Sequence, residues 1–363
     1  MQNNLIKPSL LHLPLEPYKQ RYTEYLSVWE EVAFSQRFEV TSIVPPQASV
    51  LMDIQKGSVL DSSVRPVWAM QQISQLINRP GSLPLGQIYA SDFYTPGLDA
   101  LAYCGRSFSI SAYCWAQTFD RYDFSTKMIP WMRPWEVMAF NIYDRVFVAS
   151  SLLKELIVAA LPEVESKVFI VGLPFNSFAV AKQLDKQFDV GERIDCVYTS
   201  RWDLEKNPGL FLDLVQSTPD LTFAICTGWD EMRGNDQASL YRLNQMRKAG
   251  QKNLRVFTGL TKGKYYAVLA QSHVQFNCAS QDWVSFTLLE ALTFGCSPLY
   301  PSHRSFPEAL NYATENLYRP LDVGDARRML FHLCEESRGF DQANEILDYH
   351  NHALQTIADL LGD

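Results

Sequence analysis

Two carboxylates lie in an otherwise apolar segment near the C-terminal end of the chain. The segment reads CASQDWVSFTLLEALTFGCSPLYPS, spans residues 278–302 and contains Asp282 and Glu290 as its only acids. Ionised carboxylates accept hydrogen bonds from hydroxyl groups, so a pair at this spacing suits a ligand with several hydroxyls. Taken singly, each acid fits a plainer role, since most acidic side chains face water. The residues around the pair therefore decide between the two interpretations.

Two basic residues follow another apolar run in the same half of the chain. Arg201 comes directly after CVYTS, and Lys206 stands just before a helical pattern. In that pattern Asn207 is a candidate N-cap, and Pro208 occupies the first helical position. Each base alone fits a solvated surface charge. Together, at the end of a strand, they indicate a site for phosphate groups.

The spacing of the two acids connects them to such an anion. The run QFNCAS leads into Asp282, which predicts a strand-to-helix loop, with the helix beginning near Val284 or Ser285. Glu290 then lies about five residues inside the helix, or roughly 7 to 8 Å along its axis. The helix N-terminus offers free N–H groups to a diphosphate, which brings a ribose beside Glu290 and a sugar beside Asp282. The four side chains fit one nucleoside diphosphate sugar.

Apolar runs typical of strands alternate with helical patterns in both halves of the chain. The runs are 10–15, 38–45, 87–92, 107–115, 145–150 and 167–174 in the first half, and 194–200, 221–228, 254–259, 273–280 and 297–302 in the second. Strands separated by helices predict an α/β fold with parallel sheets. In such sheets ligands bind beyond the carboxyl ends of the strands, where Arg201, Lys206 and Asp282 fall.

The length of 363 residues exceeds one ordinary core and predicts two domains. The predicted limits are an acceptor-side Rossmann-like domain at 1–174, a linker at 175–193, a nucleotide-sugar-binding Rossmann-like domain at 194–335, and a C-terminal helix at 336–363 that crosses back to the first domain.

The composition excludes several classes of protein. Apolar residues make up 47% and charged residues 20%, as in soluble globular proteins. The seven cysteines form no CxxC or Cys/His cluster, which indicates free thiols rather than zinc ligands. No segment is apolar enough to cross a bilayer and no signal-peptide pattern opens the chain, so we expect a cytoplasmic protein. The net charge of −8 disfavours undirected binding of nucleic acid.

The donor-side motifs resemble those of a known family. The stretch TSRWDLEKNPGLFLDLV followed by ASQDWVSFTLLEALTFGCSPLYPS resembles the donor half of retaining GT-B glycosyltransferases, whose hallmark is two glutamates separated by seven residues. Asp282 replaces the first glutamate and Glu290 matches the second. Arg201 and Lys206 match the family's basic residues that hold the diphosphate. RVFTGL matches the strand bordering the base, and DRVFVASSLLKELI and KVFIVGLPFN match the end of the first domain.

The resemblance implies a GT-B fold, with two Rossmann-like domains whose parallel sheets face a central cleft. It implies a UDP- or GDP-sugar as co-substrate, with no other cofactor. We expect no metal, since the sequence has no DxD motif. Asp282 becomes a candidate catalytic residue, and the donor-binding candidates are Arg201, Lys206, Gly228, Thr258, Gly259, Ser285, Phe286, Thr287 and Glu290.

The sequence also departs from this family. Trp283, Val284 and Ser285 fill positions where the family often has glycines, which predicts a narrower pocket. LPLEPYKQRYTEY replaces the family's glycine-rich loop. No histidine lies between His12 and His273, and Trp115 falls where many relatives have one. Retaining transfer can use the leaving phosphate as the base, so the mechanism does not need that histidine.

The first half resembles, less specifically, DNA-modifying glycosyltransferases of bacteriophages. The stretches concerned are LPLEPYKQRYTEY, DFYTPGLDALAY and FDRYDFSTKMIPWMRPWE. The resemblance implies a hydroxymethylated pyrimidine in double-stranded DNA as acceptor, with a flipped base in an aromatic pocket. Asp120 would orient the acceptor hydroxyl as a second catalytic residue. The acceptor-binding candidates are Glu16, Tyr18, Arg21, Trp115, Arg121, Asp123, Trp131 and Arg133, for which a core or interdomain role is an equal alternative.

Other functions fit the same donor motifs. A small molecule, a lipid or a polysaccharide can be the acceptor. A GT-B sugar-nucleotide epimerase needs acids but no second substrate, and a non-catalytic protein can bind the nucleotide sugar without turning it over. Turnover of a nucleotide-sugar panel separates these alternatives.

Overall fold

The computed structural model describes residues 7–18, 21–45, 64–78, 86–102, 108–123 and 129–362. The chain divides into two compact units. One unit consists of Met1–Phe175 together with His352–Asp363, and the other consists of Asn176–Asn351.

The first unit is built on a parallel sheet. Its strands, in the part of the chain described, are β1 (Ser9–Leu13), β2 (Glu39–Ser42), β3 (Gly86–Ala90), β4 (Phe108–Tyr113), β5 (Arg145–Val148) and β6 (Val168–Ile170). Its helices up to residue 175 there are α1 (Tyr22–Phe34), α2 (Val64–Ile77), α3 (Leu98–Ala102), α4 (Ile129–Ile142) and α5 (Ser151–Ala160). The strand order is β2-β1-β3-β4-β5-β6, and neighbouring strands are parallel.

The second unit repeats this plan. Its strands are β7 (Ile194–Tyr198), β8 (Phe223–Cys226), β9 (Leu254–Phe257), β10 (Ser272–Phe276), β11 (Ser297–Pro301) and β12 (Leu317–Tyr318). Its helices are α6 (Ser177–Ala181), α7 (Pro208–Ser217), α8 (Gln237–Lys248), α9 (Lys262–Gln271), α10 (Phe286–Thr293), α11 (Phe306–Ala309), α12 (Val323–Glu335) and α13 (Ala343–Asn351). The order β12-β11-β10-β7-β8-β9 is again parallel throughout.

The last helix, α14 (Ala353–Gly362), belongs to the first unit. Leu354, Ile357 and Leu361 join the buried cluster that contains Phe34 and Phe38. Arg37, just after α1, pairs with Asp359 of α14 at the surface of this unit. The C-terminal residues therefore complete the core of the first unit.

Both sheets have a point at which the strand order reverses, and this point positions the candidate sites. In the second sheet it lies between β7 and β10, and in the first between β1 and β3. Connections leave neighbouring strands in opposite directions there, which opens a crevice at the carboxyl ends. In the second unit this crevice lies at the loops after β7 and β10, which contain the predicted Lys206 and Asp282.

The predicted α/β fold with two parallel Rossmann-like sheets is confirmed. Every predicted apolar run overlaps a strand, whereas the two-residue β12 is absent from the sequence prediction. The predicted domain limits stay a prediction; the linker range 175–193 contains α6. Among the described residues, no helix combines the length and apolar composition that spanning a bilayer requires.

Candidate functional site

Lys206 and Asp282 meet at the reversal point of the second sheet. Lys206 ends the short 3-10 turn Leu204–Lys206 that follows β7, and its side chain is buried. Its Nζ donates to the Gln281 carbonyl at 3.0 Å and lies 3.3 Å from Asp282 Oδ2. Two residues predicted to hold one ligand, 76 positions apart in sequence, are therefore in contact.

The turn that carries Lys206 is held by a hydrogen bond from a buried core residue. The buried Tyr198 hydroxyl lies 3.1 Å from the Arg201 carbonyl oxygen and 3.3 Å from that of Lys206, and the two oxygens share its single proton. Asn207 adopts the left-handed conformation, with φ 48°, at the N-cap position of α7. Its side chain makes no capping bond, although Pro208 occupies the first helical position as predicted. The turn thus holds the ammonium of Lys206 in place without relying on a capping side chain.

Arg201 lies at the same strand end but contacts two other acids. Its guanidinium is 2.6 Å from Asp203 Oδ2 and 2.7 Å from Glu205 Oε1. The side chain is about one-third exposed. To hold a diphosphate, Arg201 must share its donors with these two carboxylates or leave them.

The loop after β10 leads into α10, and its conformation is set by short-range hydrogen bonds. Ser285 is the N-cap, and its Oγ accepts from the Thr287 backbone N–H at 3.2 Å. The Ser305 hydroxyl donates to the Asp282 carbonyl. The helix begins at Phe286, one or two residues later than predicted. The loop therefore presents the Asp282 side chain just before a capped helix N-terminus.

Glu290 is the fifth residue of α10 and is buried. Its Oε1 accepts from the Tyr266 hydroxyl at 3.1 Å and pairs with the Lys262 ammonium. Its Oε2 is buried and has no hydrogen-bond partner among the described residues. Lys262 and Tyr266, both on α9, are absent from the sequence prediction.

The loops after β8 and β9 contain the remaining donor candidates, Gly228, Thr258 and Gly259. Gly259 has φ 62°, and its N–H donates to the Trp229 carbonyl at 2.6 Å, which ties the two loops together. A Cβ at Gly259 would lie 3.2 Å from an Asp230 carboxylate oxygen, so the conformation favours glycine there.

In the first unit, Trp115 and Asp120 follow β4. The Trp115 indole N–H donates to the Ser91 carbonyl at 2.7 Å, and the ring packs on Tyr113 with centroids 4.3 Å apart. Asp120 is buried, and its carboxylate accepts from the Tyr122 backbone N–H at 3.0 Å. Both side chains are thus anchored at the carboxyl edge of the first sheet.

The two predicted acceptor arginines occupy different environments. Arg121 is exposed, and its guanidinium donates to the Tyr122 hydroxyl at 2.6 Å. Arg133 is half-buried and donates to the carbonyl and hydroxyl oxygens of Thr118. Glu136, which the sequence prediction omits, accepts from the Thr118 backbone N–H at 2.7 Å. Arg133 and Glu136 therefore position Thr118.

The other acceptor candidates are placed as follows. Glu16 and Tyr18 follow β1 and are buried, and Arg21 occupies the N-cap position of α1. Asp123 is buried in the loop after β4. Trp131 lies in α4, and its side chain is outside the described residues. The stretch 115–135, expected to be loop-like, contains the start of α4, with Pro130 in its first turn and Pro134 inside it.

Within the described ranges, no group of three or more His, Cys, Asp or Glu side chains is arranged to hold a metal ion.

Known proteins resemble this chain in structure over nearly its full length and in sequence over about half of it. No family model matches the chain. The Drosophila melanogaster tRNA-queuosine alpha-mannosyltransferase is 25% identical over 189 residues, which cover 49% of this chain and 47% of the relative. The chain therefore spans about half the length of the curated relative it matches.

Solved structures match over nearly the full length. Anabaena HepE, determined in complex with UDP and glucose, superposes with a TM-score of 0.63 at 14% identity and covers 98% of this chain and 96% of that chain. The trehalose-6-phosphate synthase OtsA superposes with a TM-score of 0.67 at 11% identity, over 98% and 99%. The chain has the GT-B fold. Sucrose-phosphate synthase from Thermosynechococcus elongatus also superposes, with a TM-score of 0.65 at 11% identity, over 98% of both chains.

Proposed function

We propose that this chain is a retaining glycosyltransferase that moves a sugar from a UDP- or GDP-sugar to a hydroxyl group of a nucleic acid. The observation that carries the donor half is the contact of Lys206 with Asp282, 3.3 Å apart at the reversal point of a GT-B donor sheet. One basic and one acidic group side by side fit the junction between a diphosphate and its sugar.

Each donor group then has a task. Lys206 binds the diphosphate beside the positive end of the α10 dipole, and Arg201 adds a second cation when it turns from its acidic neighbours. Glu290 accepts a hydrogen bond from a ribose hydroxyl, and Asp282 accepts one from a hydroxyl of the transferred sugar. The UDP complex of HepE, which shares the fold, supports UDP as the nucleotide.

In the proposed reaction the acceptor hydroxyl attacks the anomeric carbon from the face that the diphosphate leaves. The bond from that carbon to the diphosphate oxygen breaks, its electron pair stays on the phosphate, and the phosphate takes the hydroxyl proton. The products are the glycosylated acceptor and a nucleoside diphosphate. Lys206 stabilises the charge that develops on the leaving oxygen.

For the acceptor, we propose a modified nucleoside within a polynucleotide, first of all a hydroxymethylated pyrimidine in DNA. The Drosophila relative is named for transfer of mannose to queuosine in tRNA, which makes a modified tRNA nucleoside the second candidate. Trp115 at the carboxyl edge of the first sheet offers an aromatic surface, and the exposed Arg121 offers a phosphate contact. Asp120 orients the acceptor hydroxyl in this proposal.

The test is a transfer assay with a panel of UDP- and GDP-sugars. The acceptors are duplex DNA with 5-hydroxymethylcytosine, the same duplex with cytosine, and tRNA with and without queuosine. Mass spectrometry of the digested nucleosides detects the addition of one sugar, and the anomeric configuration of the product tests retention. Asp282→Asn is the matched variant, because it replaces the charged acceptor for the sugar hydroxyl by a neutral one and keeps the side-chain size.

The outcomes separate the alternatives. Nucleoside diphosphate released while every nucleoside keeps its mass indicates hydrolysis, with water as the acceptor. An isomerised donor with no release indicates an epimerase. A parent chain that neither binds nor turns over any nucleotide sugar overturns the proposal.

A further inference from the structure

Glu290 contacts Lys262 and Tyr266, and the proposed donor site assigns these two residues no role. We infer that Lys262 is a positioning residue that makes Glu290 present a single oxygen to a single ribose hydroxyl. Lys262 would thereby set how strongly the site distinguishes a ribose from a deoxyribose. The inference rests on the proposed donor site.

The two oxygens of the Glu290 carboxylate differ in their hydrogen-bond partners. Oε1 receives both the Lys262 ammonium and the Tyr266 hydroxyl, the latter at 3.1 Å. Oε2 has no donor among the described residues and is shielded from solvent within the protein. Only 4% of the Glu290 side chain is exposed, so water does not compensate for the missing donor in the way it does at a surface. An incoming hydroxyl therefore finds one vacant acceptor.

The position of Lys262 is itself restricted. Lys262 is the first residue of α9, after the N-cap Thr261, whose side chain accepts from the Lys264 N–H. Its Nζ lies 5.2 Å from the centroid of the Tyr265 ring and 5.4 Å from that of Tyr266. Two ring faces and one carboxylate confine the ammonium, because each attracts the cation. A confined cation fixes the rotation of the carboxylate that it pairs with.

This arrangement predicts a selective pattern of ribose recognition. A carboxylate with both oxygens open can accept from both hydroxyls of a ribose. Here Oε1 is already saturated by two donors, so the loss of one ribose hydroxyl weakens binding strongly and the loss of the other weakens it little. Without Lys262, the buried charge lacks a counter-charge, and Oε1 also becomes available. The distinction between the two hydroxyls should then disappear.

The test measures calorimetric affinity for UDP, 2′-deoxy-UDP and 3′-deoxy-UDP, or for the guanosine series if GDP binds better. In the parent we expect one deoxy analogue to bind about tenfold or more weaker than the full nucleotide, as for a lost hydrogen bond to a charged group, and the other to bind nearly as well. In Lys262→Met the larger ratio should fall at least about threefold. Lys264→Met is the matched control, two positions along the same helix, where Nζ lies 5.4 Å from the Phe188 ring centroid; its ratios should equal those of the parent.

Tyr266→Phe tests the same oxygen without leaving a charge unpaired. It should reduce the larger ratio by a smaller factor, even if Lys262→Met folds poorly. Parent-like ratios in both variants, or equal losses for the two analogues in the parent, overturn the inference and leave the donor site standing. A parent that binds neither UDP nor GDP overturns the donor site and the inference together.

Discussion

The carboxyl edges of the two sheets hold their acids in different ways. In the second unit, Glu290 pairs with Lys262, and Asp282 pairs with Lys206. In the first unit, the buried Glu136 is held by the Thr118 N–H and hydroxyl and by the Tyr94 hydroxyl.

The difference has a chemical consequence. Where an acid is paired with a lysine, the lysine can bind a phosphate oxygen in place of the carboxylate oxygen. An edge whose acid is held by neutral donors offers no such exchange. Burial accordingly raises the pKa of the Glu136 carboxyl above its ordinary value. This difference agrees with the proposal of a charged donor at the second edge and an uncharged acceptor hydroxyl at the first.

The largest expected effect comes from removing the lysine at the second edge. Lys206→Ala should weaken binding of UDP or GDP by about 3 kcal/mol, since it removes a charged phosphate contact and leaves Asp282 without its cation. Arg201→Ala is the contrast, with about 1 kcal/mol or less, because Asp203 and Glu205 already engage that side chain. Isothermal titration measures both. Equal losses for the two variants would contradict the assignment of Lys206 as the principal phosphate group.

Glu290→Gln should weaken nucleoside diphosphate binding by about 1 to 2 kcal/mol, because the amide replaces a charged acceptor by a neutral one. Glu308→Gln, an acid-to-amide change on another helix of the second unit, serves as control. Titration with UDP and GDP provides the measurement. An affinity unchanged for every common nucleoside diphosphate removes Glu290 from the site.

The third prediction concerns the first edge and its two arginines. Arg121→Ala should reduce the slope of log affinity for DNA or tRNA against log salt by about one, since one phosphate contact releases about one counterion. Donor affinity should not change. Arg133→Ala should instead lower the free energy of unfolding, because its guanidinium donates to Thr118. Filter binding at several salt concentrations and urea unfolding measure the two effects. A salt slope that falls in Arg133→Ala and stays constant in Arg121→Ala would reverse the roles.

The smallest effect is a pH-dependent difference in stability between Glu136→Gln and the parent. The unfolded carboxyl titrates near 4.5, and the folded one at a higher pKa. As pH rises through this window, the unfolded chain loses its proton first, so the parent loses stability while glutamine does not titrate. The free energy of unfolding of the variant minus that of the parent should therefore increase from pH 4.5 towards neutrality. Urea unfolding across that range tests it; a difference that stays flat or decreases means that the folded carboxyl is not raised.

Much of the second edge was predictable because strand ends in parallel sheets converge. CVYTS and QFNCAS are recognisable strands, so Lys206 and Asp282 had to fall at one edge. Lys262 was not predictable in this way, because the packing of α9 beside α10 is set by tertiary contacts that no local pattern contains. One signal was available: a lysine at the first position of a helix opposes the helix dipole, which indicates a nearby acid.

At the first edge, local patterns were less informative. Pro130 and Pro134 make the stretch before Glu136 look irregular, yet α4 includes both. Proline is tolerated in the first turn, where its missing N–H has no helical partner, and one further in normally kinks the helix rather than preventing it. Once α4 begins at Ile129, Arg133 and Glu136 fall three positions apart on one face and reach Thr118 together. The shared direction of Arg133 and Glu136 towards Thr118 thus follows from the start of α4.

The division of the chain gives the second unit the topology of an insertion. The first unit is made of two stretches of sequence, and the second is one continuous stretch between them. The two ends of the second unit are tied to each other: the Ser177 N–H donates to the Asn351 side chain at 2.8 Å, and the Asn351 amide donates back to the Ser177 hydroxyl at 2.8 Å. Removing residues 176–351 therefore needs one new junction, and exchanging them for the corresponding unit of another GT-B protein needs two junctions that lie side by side, so the nucleotide preference proposed for this unit would be transferred with it.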